Sequence, residues 1–430
     1  MNHYQYQDRG KNRAKSVQEN IHETNIAILT AIHTFTHMLF LSKRIDTLEI
    51  PMTIEMTKKS RVLQDAGHDI ISLSLGEPDF DTPDFIKTAG KEGIDQNYSH
   101  YMPVPGYLDL REAISKKFKR DNNLDYQPNE IIVSTGAKQS IANIVLATVN
   151  PGDEVIIPAP YWVSYADLVT FNGGKVISPK AGVEKGFKIS AVELEKSLTN
   201  KTRLMIFSSP NNPSGAMYSE NELKDLVSVL KKYPQVWIIS DEIYEYIQYG
   251  KNHVSLASLP GMKDRVATVN GLSKGFAMTG WRIGFMGAPE KLARACEKIQ
   301  SQFTSGASSI GQRAAISAVL AGPQRVEYMV KDFTIRRKIL GDILKGAKHL
   351  NFMEPDGAFY LFVDASKYLN AKYTNALDLC MAILEGGVAS VPGEAFGLDG
   401  YIRFSFATSE EKLKEAGARI VKTLVSIKPN

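Results

Sequence analysis

The feature that most constrains the fold is a regular alternation of strand-like and helix-like segments between residues 131 and 240. Four short apolar runs are separated by stretches with helical spacing: strands at 131–136, 154–157, 203–207 and 236–240, helices at 138–149 and 220–232. Such alternation is typical of a mostly parallel sheet, because each parallel connection must cross the sheet through a helix. We therefore expect an α/β protein whose mixed, mostly parallel sheet lies between helices, with ligands at the carboxyl ends of the strands.

The length of the chain predicts two domains. At 430 residues it exceeds the size at which one hydrophobic core usually stops growing. After about Gln324 the pattern changes to long helices and two or three short strands, ending with a helix over 410–427. Upstream, charged and apolar residues at 44–64 predict a helix, and 70–75 predicts a strand. We expect a large domain over 83–324 and a smaller α+β domain built from 38–82 and 325–430.

Residues 1–37 differ from the rest of the chain. A polar start is followed by an apolar stretch at 26–41 that His33 and His37 interrupt. A basic start before an apolar stretch is also typical of a signal peptide, but no small-residue cleavage site follows. A membrane span needs about 20 apolar residues, which this stretch does not supply. We expect a non-essential extension, with Met38 as an alternative start.

Composition excludes several classes of function. The 51 basic and 47 acidic residues leave a net charge of +4, and no run of Lys or Arg concentrates it, so nucleic-acid binding is not expected. The eight histidines show no paired metal-ligand spacing, so no metal site is expected. Cys296 and Cys380 form no disulfide framework, which favours a reducing cytoplasm.

Lys274 and Arg282 lie eight residues apart in one glycine-rich stretch. A lysine amine can form a Schiff base with an aldehyde, and an arginine fork suits a phosphate. The small neighbours Ser273 and Gly275 allow close approach of a bulky cofactor. Together these residues suit pyridoxal 5′-phosphate. A solvated surface turn is the alternative.

A second phosphate-binding element is predicted at the turn 134–139, between a strand and a helix. The backbone N–H groups of Gly136, Ala137 and Lys138 would point outward at the positive end of the helix dipole. The turn lacks the second glycine and the Lys-Ser/Thr pair of a Walker A loop. A plain glycine turn is the alternative.

Asp241 ends the apolar strand 236–240, and Tyr244 follows on the same loop. A carboxylate at this position can pair with a protonated pyridine nitrogen. One alternative is a metal site with Glu242, although strand neighbours point to opposite faces. The other alternative is that Asp241 caps the next helix.

Three further side chains are candidates for binding. Asn212, in a loop fixed by two prolines, offers both a donor and an acceptor. Trp162 offers an aromatic face, with a core position as the alternative. Arg403 stands in an apolar strand-like run, so its charge needs either a substrate carboxylate or an internal Asp or Glu.

The order and spacing of these residues resemble the class I/II aminotransferases of PLP fold type I. The resemblance covers about residues 40–428. The motifs nearest to the aspartate aminotransferase branch called subgroup Ib, which includes aspartate/prephenate aminotransferases, are Leu75-Gly-Glu-Pro-Asp-Phe80, Ser209-Pro-Asn-Asn-Pro-Ser-Gly215 and Ser273-Lys-Gly-Phe-Ala-Met-Thr-Gly-Trp-Arg-Ile-Gly284.

The resemblance implies a cofactor, pyridoxal 5′-phosphate, and a role for each residue. Lys274 holds the aldehyde and later acts as general base, Asp241 pairs with the ring nitrogen, and Trp162 stacks on the ring. Tyr244 and Asn212 bond to the ring oxygen. The phosphate would be bound by Gly136, Ala137, Lys138 and Arg282. The substrate α-carboxylate would be bound by Arg403, with Asn212 and Gly76.

The resemblance also implies substrates and a partner. Aspartate with 2-oxoglutarate is the expected pair, and prephenate is a further candidate. Lys138 and Thr53 would bind the distal carboxylate. Tyr101 would reach the phosphate of the neighbouring subunit, which implies a homodimer. Other class I enzymes carry a serine where this chain has Gly271, so phosphate binding must depend on the turn, Arg282 and Tyr101.

Two rival functions stay open at this point. One is another fold type I enzyme, either an aromatic or alanine aminotransferase or a C–S or C–C lyase, which would use the same lysine. The other is a non-enzymatic regulator with an N-terminal DNA-binding domain, for which 37 residues are too few.

Overall fold

The computed structural model describes residues 41–48 and 52–429. The chain divides into two compact units between Thr47 and Leu48. In the first unit the described residues form a short 3-10 helix, Lys43–Thr47, in which the Thr47 hydroxyl donates to the Arg44 carbonyl at 2.8 Å. The predicted extension 1–37 and the alternative start Met38 lie outside the described residues.

The second unit contains twelve described strands and twelve described α-helices. The strands are β1 Ile71–Ser72, β2 Ile131–Thr135, β3 Glu154–Ile156, β4 Lys175–Ile177, β5 Thr202–Ser208, β6 Trp237–Asp241, β7 Val266–Gly271, β8 Ile283–Gly287, β9 Tyr360–Asp364, β10 Val388–Ala389, β11 Val391–Pro392 and β12 Tyr401–Ser405. The helices are α1 Met52–Asp65, α2 Asp84–Asp95, α3 Leu108–Asn122, α4 Ala137–Thr148, α5 Ser164–Phe171, α6 Ala191–Ser197, α7 Glu220–Leu230, α8 Glu290–Phe303, α9 Ser309–Ala321, α10 Glu327–Leu344, α11 Ala376–Glu385 and α12 Glu410–Val425.

Seven strands form the central sheet, in the order β2-β8-β7-β6-β5-β3-β4. Only β8 runs antiparallel to its neighbours β2 and β7, and the other pairs are parallel. The expected mixed, mostly parallel α/β sheet is therefore confirmed. Two smaller sheets accompany it, a parallel pair β1-β10 and an antiparallel sheet β11-β12-β9.

Both faces of the central sheet are buried. Along β5, Leu204 and Ile206 belong to one apolar cluster, and Met205 and Phe207 belong to the other. Successive side chains of a strand point to opposite faces, so a continuous apolar run is what a sheet covered on both sides requires. None of the helices in the described part of the chain combines the length and apolarity needed to span a bilayer.

Local sequence explains where individual helices begin. Ser219 caps α7, since its hydroxyl accepts from the Glu222 amide at 3.4 Å while the Glu222 carboxylate accepts from the Ser219 amide at 2.7 Å. Gly136 precedes α4 with a φ of +79°, a conformation in which glycine has no steric penalty.

Three local predictions need correction. The single helix expected over 44–64 is wrong, because the described residues form two helices, Lys43–Thr47 and α1. Pro51 precedes α1 in the sequence, and proline favours the start of a helix over its interior. The strand expected over 70–75 is only two residues long, and four short strands rather than two or three follow residue 324. The division into domains at 38–82, 83–324 and 325–430 stays a prediction.

Candidate active site

The loops that leave β2, β5, β6 and β7 converge at the carboxyl edge of the central sheet. These strands are mutually parallel, and Ser208 at the end of β5 is paired in register with Asp241 at the end of β6. A cavity of about 560 Å³ lies there. Ten of the predicted site residues line it: Gly76, Ala137, Lys138, Trp162, Asn212, Asp241, Tyr244, Lys274, Arg282 and Arg403.

Three predicted site residues are not among those lining the cavity. Gly136 lies against the Arg282 guanidinium. The Tyr101 side chain is 96% exposed on the surface. The side chain of Thr53 lies outside what the structure describes, so its predicted role stays a prediction.

Lys274 follows β7 and points into the cavity. Its amine donates to the Gly76 carbonyl at 2.5 Å. Burial, together with the nearby charges of Arg403 and Arg282, lowers the pKa of Lys274 to about 8, against the opposing effect of Glu77. An amine with this pKa is partly unprotonated near neutral pH, which a nucleophile or a base requires.

Asp241 is buried at the end of β6. Its Oδ2 accepts from the Tyr165 hydroxyl at 2.6 Å, and its Oδ1 accepts from the Ile243 amide at 3.2 Å. Burial raises the pKa of Asp241 to about 6, and the Tyr165 hydrogen bond opposes this rise. The carboxyl group is therefore mostly ionised at pH 7. No α-helix follows directly, so helix capping by Asp241 is not observed.

Glu242 points away from Asp241, into a separate buried network. Its carboxylate accepts from the hydroxyls of Ser240 and Ser255, both at 2.8 Å, and contacts His253 Nε2 at 3.0 Å. Glu245 lies within metal-ligand range of Glu242 and His253. The Glu245 carboxylate is already bound by protein groups, because Lys117 forms an ion pair with it and Asn122 Nδ2 donates to it at 2.8 Å. This network anchors the loop that carries Asp241 and Tyr244.

Arg403 extends from β12 into the cavity and is only 2% exposed. Its Nη1 donates to Asn212 Oδ1 at 3.1 Å and its Nη2 donates to the Ser74 carbonyl at 2.6 Å, while its Nε has no partner. Among the described residues no carboxylate pairs with it, so the alternative of an internal Asp or Glu partner is not observed. A buried guanidinium without a counter-charge is costly in free energy, which indicates that an anion binds here.

Tyr360 on β9 connects Tyr244 to Arg403. The hydroxyls of the two tyrosines are 2.7 Å apart, and the Arg403 guanidinium lies 4.5 Å from the centre of the Tyr360 ring. A Cβ on Gly76 would lie 2.7 Å from the Tyr360 hydroxyl. Glycine is therefore required at position 76.

Arg282 packs against the turn that precedes α4. A Cβ on Gly136 would lie 2.1 Å from Arg282 Nη2, so only glycine lets the turn and the guanidinium approach each other. Arg282 donates through Nη1 to the Thr279 carbonyl at 2.9 Å, and it forms no ion pair with any residue of the described ranges. The free side of its fork and the start of α4 form a site suited to a phosphate.

Gly271 has no space for a larger side chain. A Cβ there would lie 3.0 Å from the Ile283 carbonyl oxygen and 3.1 Å from the Gly284 Cα on β8. The departure from the serine of other class I enzymes is thus consistent with the close packing of β7 on β8.

Lys138 and Trp162 lie side by side in the cavity lining. The Lys138 amine is 4.9 Å from the centre of the Trp162 ring. Burial, reinforced by Arg282, lowers the pKa of Lys138. Trp162 is half-buried and faces the cavity, so its position is not that of a core residue alone.

The loop after β5 holds Asn212 in place through its neighbour Asn211. The Asn211 Oδ1 accepts from the Ser214 amide at 3.1 Å and from the Ser214 hydroxyl at 2.8 Å, while its Nδ2 donates to the Pro160 carbonyl at 3.1 Å. These bonds connect the loop to the one that carries Trp162.

Sequence reasoning missed Tyr165, Tyr360 and Ser74. Tyr165 had a weak local signal, because it comes three residues after Trp162 at the start of a helix. Tyr360 had none, since its proximity to Tyr244 depends on how β9 is placed beside the central sheet. Ser74 contributes a carbonyl group, which no side-chain pattern can reveal.

Comparison with solved structures supports this picture. An aspartate aminotransferase from Rhizobium meliloti superposes with a TM-score of 0.88 at 39% identity, covering 91% of this chain and 100% of that one. An aspartate aminotransferase from Thermus thermophilus with maleate superposes with a TM-score of 0.86 at 36% identity, covering 90% and 100%.

Comparison of sequences agrees. The chain is 46% identical over 400 residues to a probable aspartate/prephenate aminotransferase from Rickettsia felis, covering 91% of this chain and 98% of the relative. It is 45% identical to a bifunctional aspartate aminotransferase and glutamate/aspartate-prephenate aminotransferase from Petunia hybrida, covering 90% and 84%. The family model of aminotransferase class I and II matches residues 68–420. Together with the geometry of the cavity, this match establishes that the chain belongs to the class I and II aminotransferases.

Proposed function

We propose that this aminotransferase transfers the amino group of aspartate to 2-oxoglutarate and that it also accepts prephenate. The relatives from Rickettsia felis and Petunia hybrida are named for transamination of both aspartate and prephenate. The observation that carries the proposal is the buried Arg403 guanidinium, which has no carboxylate partner in the described chain and lines the same cavity as the Lys274 amine.

The residues present fit pyridoxal 5′-phosphate, the cofactor of this family. The close approach of Gly136 to Arg282 makes a cradle in which an added Cβ would collide with the guanidinium. Arg282, with the amides of Gly136, Ala137 and Lys138, would hold the phosphate. Tyr244 and Asn212 would form hydrogen bonds to the ring oxygen, and Trp162 would stack on the ring face.

When bound, the cofactor supplies an aldehyde that holds the amino group and an aromatic ring that accepts electron density from the substrate α-carbon. Asp241 would place a carboxylate against the ring nitrogen. Its pKa of about 6 leaves it ionised at neutral pH, and a positive charge beside it favours the ionised form further.

Lys274 would both hold the aldehyde and move the proton of the substrate α-carbon. Its pKa of about 8 lies close to neutral pH, where a group can gain and lose a proton with little cost in either direction. The Gly76 carbonyl, 2.5 Å from the amine, orients the side chain.

Arg403 and Lys138 would each bind one of the two carboxylates of a substrate such as aspartate. Arg403 would bind the α-carboxylate with its unpartnered Nε and the rest of its fork, assisted by Asn212. Binding of the α-carboxylate by Arg403 would fix the orientation of the α-carbon relative to Lys274. Lys138, with Thr53, would bind the distal carboxylate.

We further propose that the enzyme is a homodimer in which Tyr101 reaches the phosphate of the partner subunit. Tyr101 and Phe303 are large apolar side chains that are 96% and 72% exposed. Their segments lie together, since a Cβ on Gly306 would meet the side chain of Met102 at 2.5 Å. A second subunit that packs on these two segments would cover both exposed side chains.

Two smaller expectations belong to the same proposal. Cys296 and Cys380 are both buried and free, which suits a reducing cytoplasm. Residues 1–37 are expected to be dispensable, so a chain that begins at Met38 should keep full transaminase activity. A large loss of activity in that shortened chain would contradict the second expectation.

The direct test compares Lys274→Ala with the control Lys291→Ala, which replaces an exposed lysine on α8. Oxaloacetate formation from aspartate and 2-oxoglutarate is measured, and prephenate is then substituted for 2-oxoglutarate. We expect Lys274→Ala to lose more than about a thousandfold in kcat and the control to match the parent. Full turnover by Lys274→Ala would contradict the assigned role. Absence of both activities in the parent would contradict the proposed substrates.

A further inference from the structure

Two basic residues at the mouth of the cavity have no role in the function proposed above. Lys58 and Arg61 lie on α1 and line the cavity together with Lys274 and Arg403. Within the described ranges neither forms a hydrogen bond or an ion pair. Both side chains are exposed to solvent. They are therefore cations at the entrance of a binding site for which the described part of the chain supplies no counter-charge.

The geometry of α1 directs these side chains to the cavity. The four residues of α1 that line it follow the helical spacing i, i+3, i+4 and i+7, which places them on one face: Ile54, Thr57, Lys58 and Arg61. A different face is packed inside the protein, where Met56 and Ser60 are 1% and 2% exposed. The orientation of the helix is thus fixed by burial.

The cavity face of α1 begins beside the proposed α-carboxylate site. The hydroxyls of Thr57 and Ser74 are 3.4 Å apart, and the Ser74 carbonyl accepts from Arg403. From Thr57 to Arg61 the helix rises by about 6 Å. Thr57 is half-buried, whereas Lys58 and Arg61 are exposed, so the two cations lie on the solvent side of this cavity face.

The other charged groups that line the cavity have roles of their own, so Lys58 and Arg61 are available to a ligand. Asp241 is the only carboxylate among the described side chains that line it, and it is buried at the end of β6. In the proposed function Arg282 serves the cofactor phosphate, Arg403 the α-carboxylate and Lys138 the distal carboxylate of a short substrate. That assignment leaves Lys58 and Arg61 without a role, although they line the same cavity.

We propose that Lys58 and Arg61 form a subsite for the second carboxylate of 2-oxo acids and amino acids whose side chains are longer or bulkier than that of aspartate. The proposal rests on the function proposed above, because it assumes that Arg403 holds the α-carboxylate. It assigns two residues that set the range of substrates, and it predicts that this chain accepts long dicarboxylic substrates better than monocarboxylic substrates of equal length.

The test replaces both cations, in the double variant Lys58→Gln plus Arg61→Gln. Lys59→Gln is the matched control, since Lys59 is an exposed lysine on the same helix that does not line the cavity. The substrates are 2-oxoadipate and 2-oxohexanoate, which have the same chain length and differ in the distal carboxylate. For each, kcat and KM are measured with aspartate as amino donor.

We expect the double variant to raise the KM for 2-oxoadipate about three- to tenfold, with less than a twofold change for 2-oxohexanoate, because solvent-exposed ion pairs contribute modestly to binding. Added salt should raise the KM of the parent for 2-oxoadipate more steeply than that of the double variant. Lys59→Gln should match the parent with both substrates.

Equal changes for the two substrates, or no change for 2-oxoadipate, would overturn the subsite. That result is distinct from failure of the proposed function, in which the parent itself would not transaminate oxaloacetate or 2-oxoglutarate. A parent that is active on these short substrates but shows no preference for 2-oxoadipate over 2-oxohexanoate also overturns the subsite.

Discussion

Replacement of Gly136 by alanine tests the central assumption about phosphate binding. Gly136 has a φ of +79° and a ψ of 159°, a region that is essentially confined to glycine. The added Cβ would also lie 2.1 Å from Arg282 Nη2. Since ordinary contacts begin at 3.4 Å, the guanidinium must retreat by about 1 Å or the turn must open.

The two consequences have different magnitudes and different readouts. Backbone strain should lower the free energy of unfolding by about 1–3 kcal/mol. Displacement of Arg282 should weaken a charge-assisted contact with the phosphate, which contributes about 1.5–3 kcal/mol. The second loss corresponds to a rise of about 10- to 100-fold in the Kd of pyridoxal phosphate.

Gly152→Ala separates the two effects. Gly152 also has a positive φ, +87°, but no atom lies within 4 Å of the position of its Cβ. Alanine at position 152 should therefore strain the backbone without moving any neighbour. For both variants the Kd of the cofactor is measured by equilibrium dialysis against the cofactor-free protein, and the free energy of unfolding is measured by urea denaturation.

We expect both variants to be less stable than the parent and only Gly136→Ala to bind the cofactor weakly. If Gly136→Ala keeps the parental Kd, the contact between the turn and Arg282 does not hold the phosphate. If Gly152→Ala loses cofactor affinity to the same extent, general destabilisation explains the loss and the reasoning from local geometry is wrong.

Four further predictions concern the charged groups. Burial lowers the pKa of Lys274 from 10.5 to about 8, so the unfolded chain binds more protons between these values. Lys274→Met should therefore stabilise the cofactor-free protein by about 3 kcal/mol at pH 7, with a smaller gain at pH 10, in urea denaturation. Lys138→Ala should raise the KM for aspartate and oxaloacetate about tenfold and spare monocarboxylic substrates; equal losses would contradict its assignment. Tyr165→Phe removes a donor to Asp241 and raises the carboxyl pKa above its present value of about 6, so the acid limb of kcat/KM should move about one unit to higher pH. Arg403→Lys keeps the charge but loses the planar fork, and its kcat/KM should fall at least about tenfold for every amino acid tested.

Much of the fold follows directly from the sequence. The strands predicted at 131–136, 154–157, 203–207 and 236–240 lie within two residues of β2, β3, β5 and β6. Each run contains three or four consecutive apolar residues, which is what strands buried on both faces require. The helix expected over 44–64 failed because a periodic pattern does not show where a helix is interrupted.

The candidate site was predictable where each residue stands next to a strand end. Asp241, Asn212 and Lys274 follow apolar strands, and the carboxyl ends of parallel strands meet at one edge of a sheet. Tyr360 and Tyr165 were not predictable, because their hydroxyls reach Tyr244 and Asp241 across 116 and 76 residues of sequence.

The sequence by itself determined the α/β class, the order of the strands and helices along the chain, and the residue types that bind a phosphate, an aldehyde and a carboxylate. These properties are local, since they depend on the periodicity of neighbouring residues and on the chemistry of single side chains. Only the tertiary structure decided that no carboxylate of the described residues pairs with Arg403, that Tyr165 and Tyr360 support the site, and that Lys58 and Arg61 lie at its entrance. Burial and ion pairing depend on which distant segments are packed together, and no local pattern contains that information.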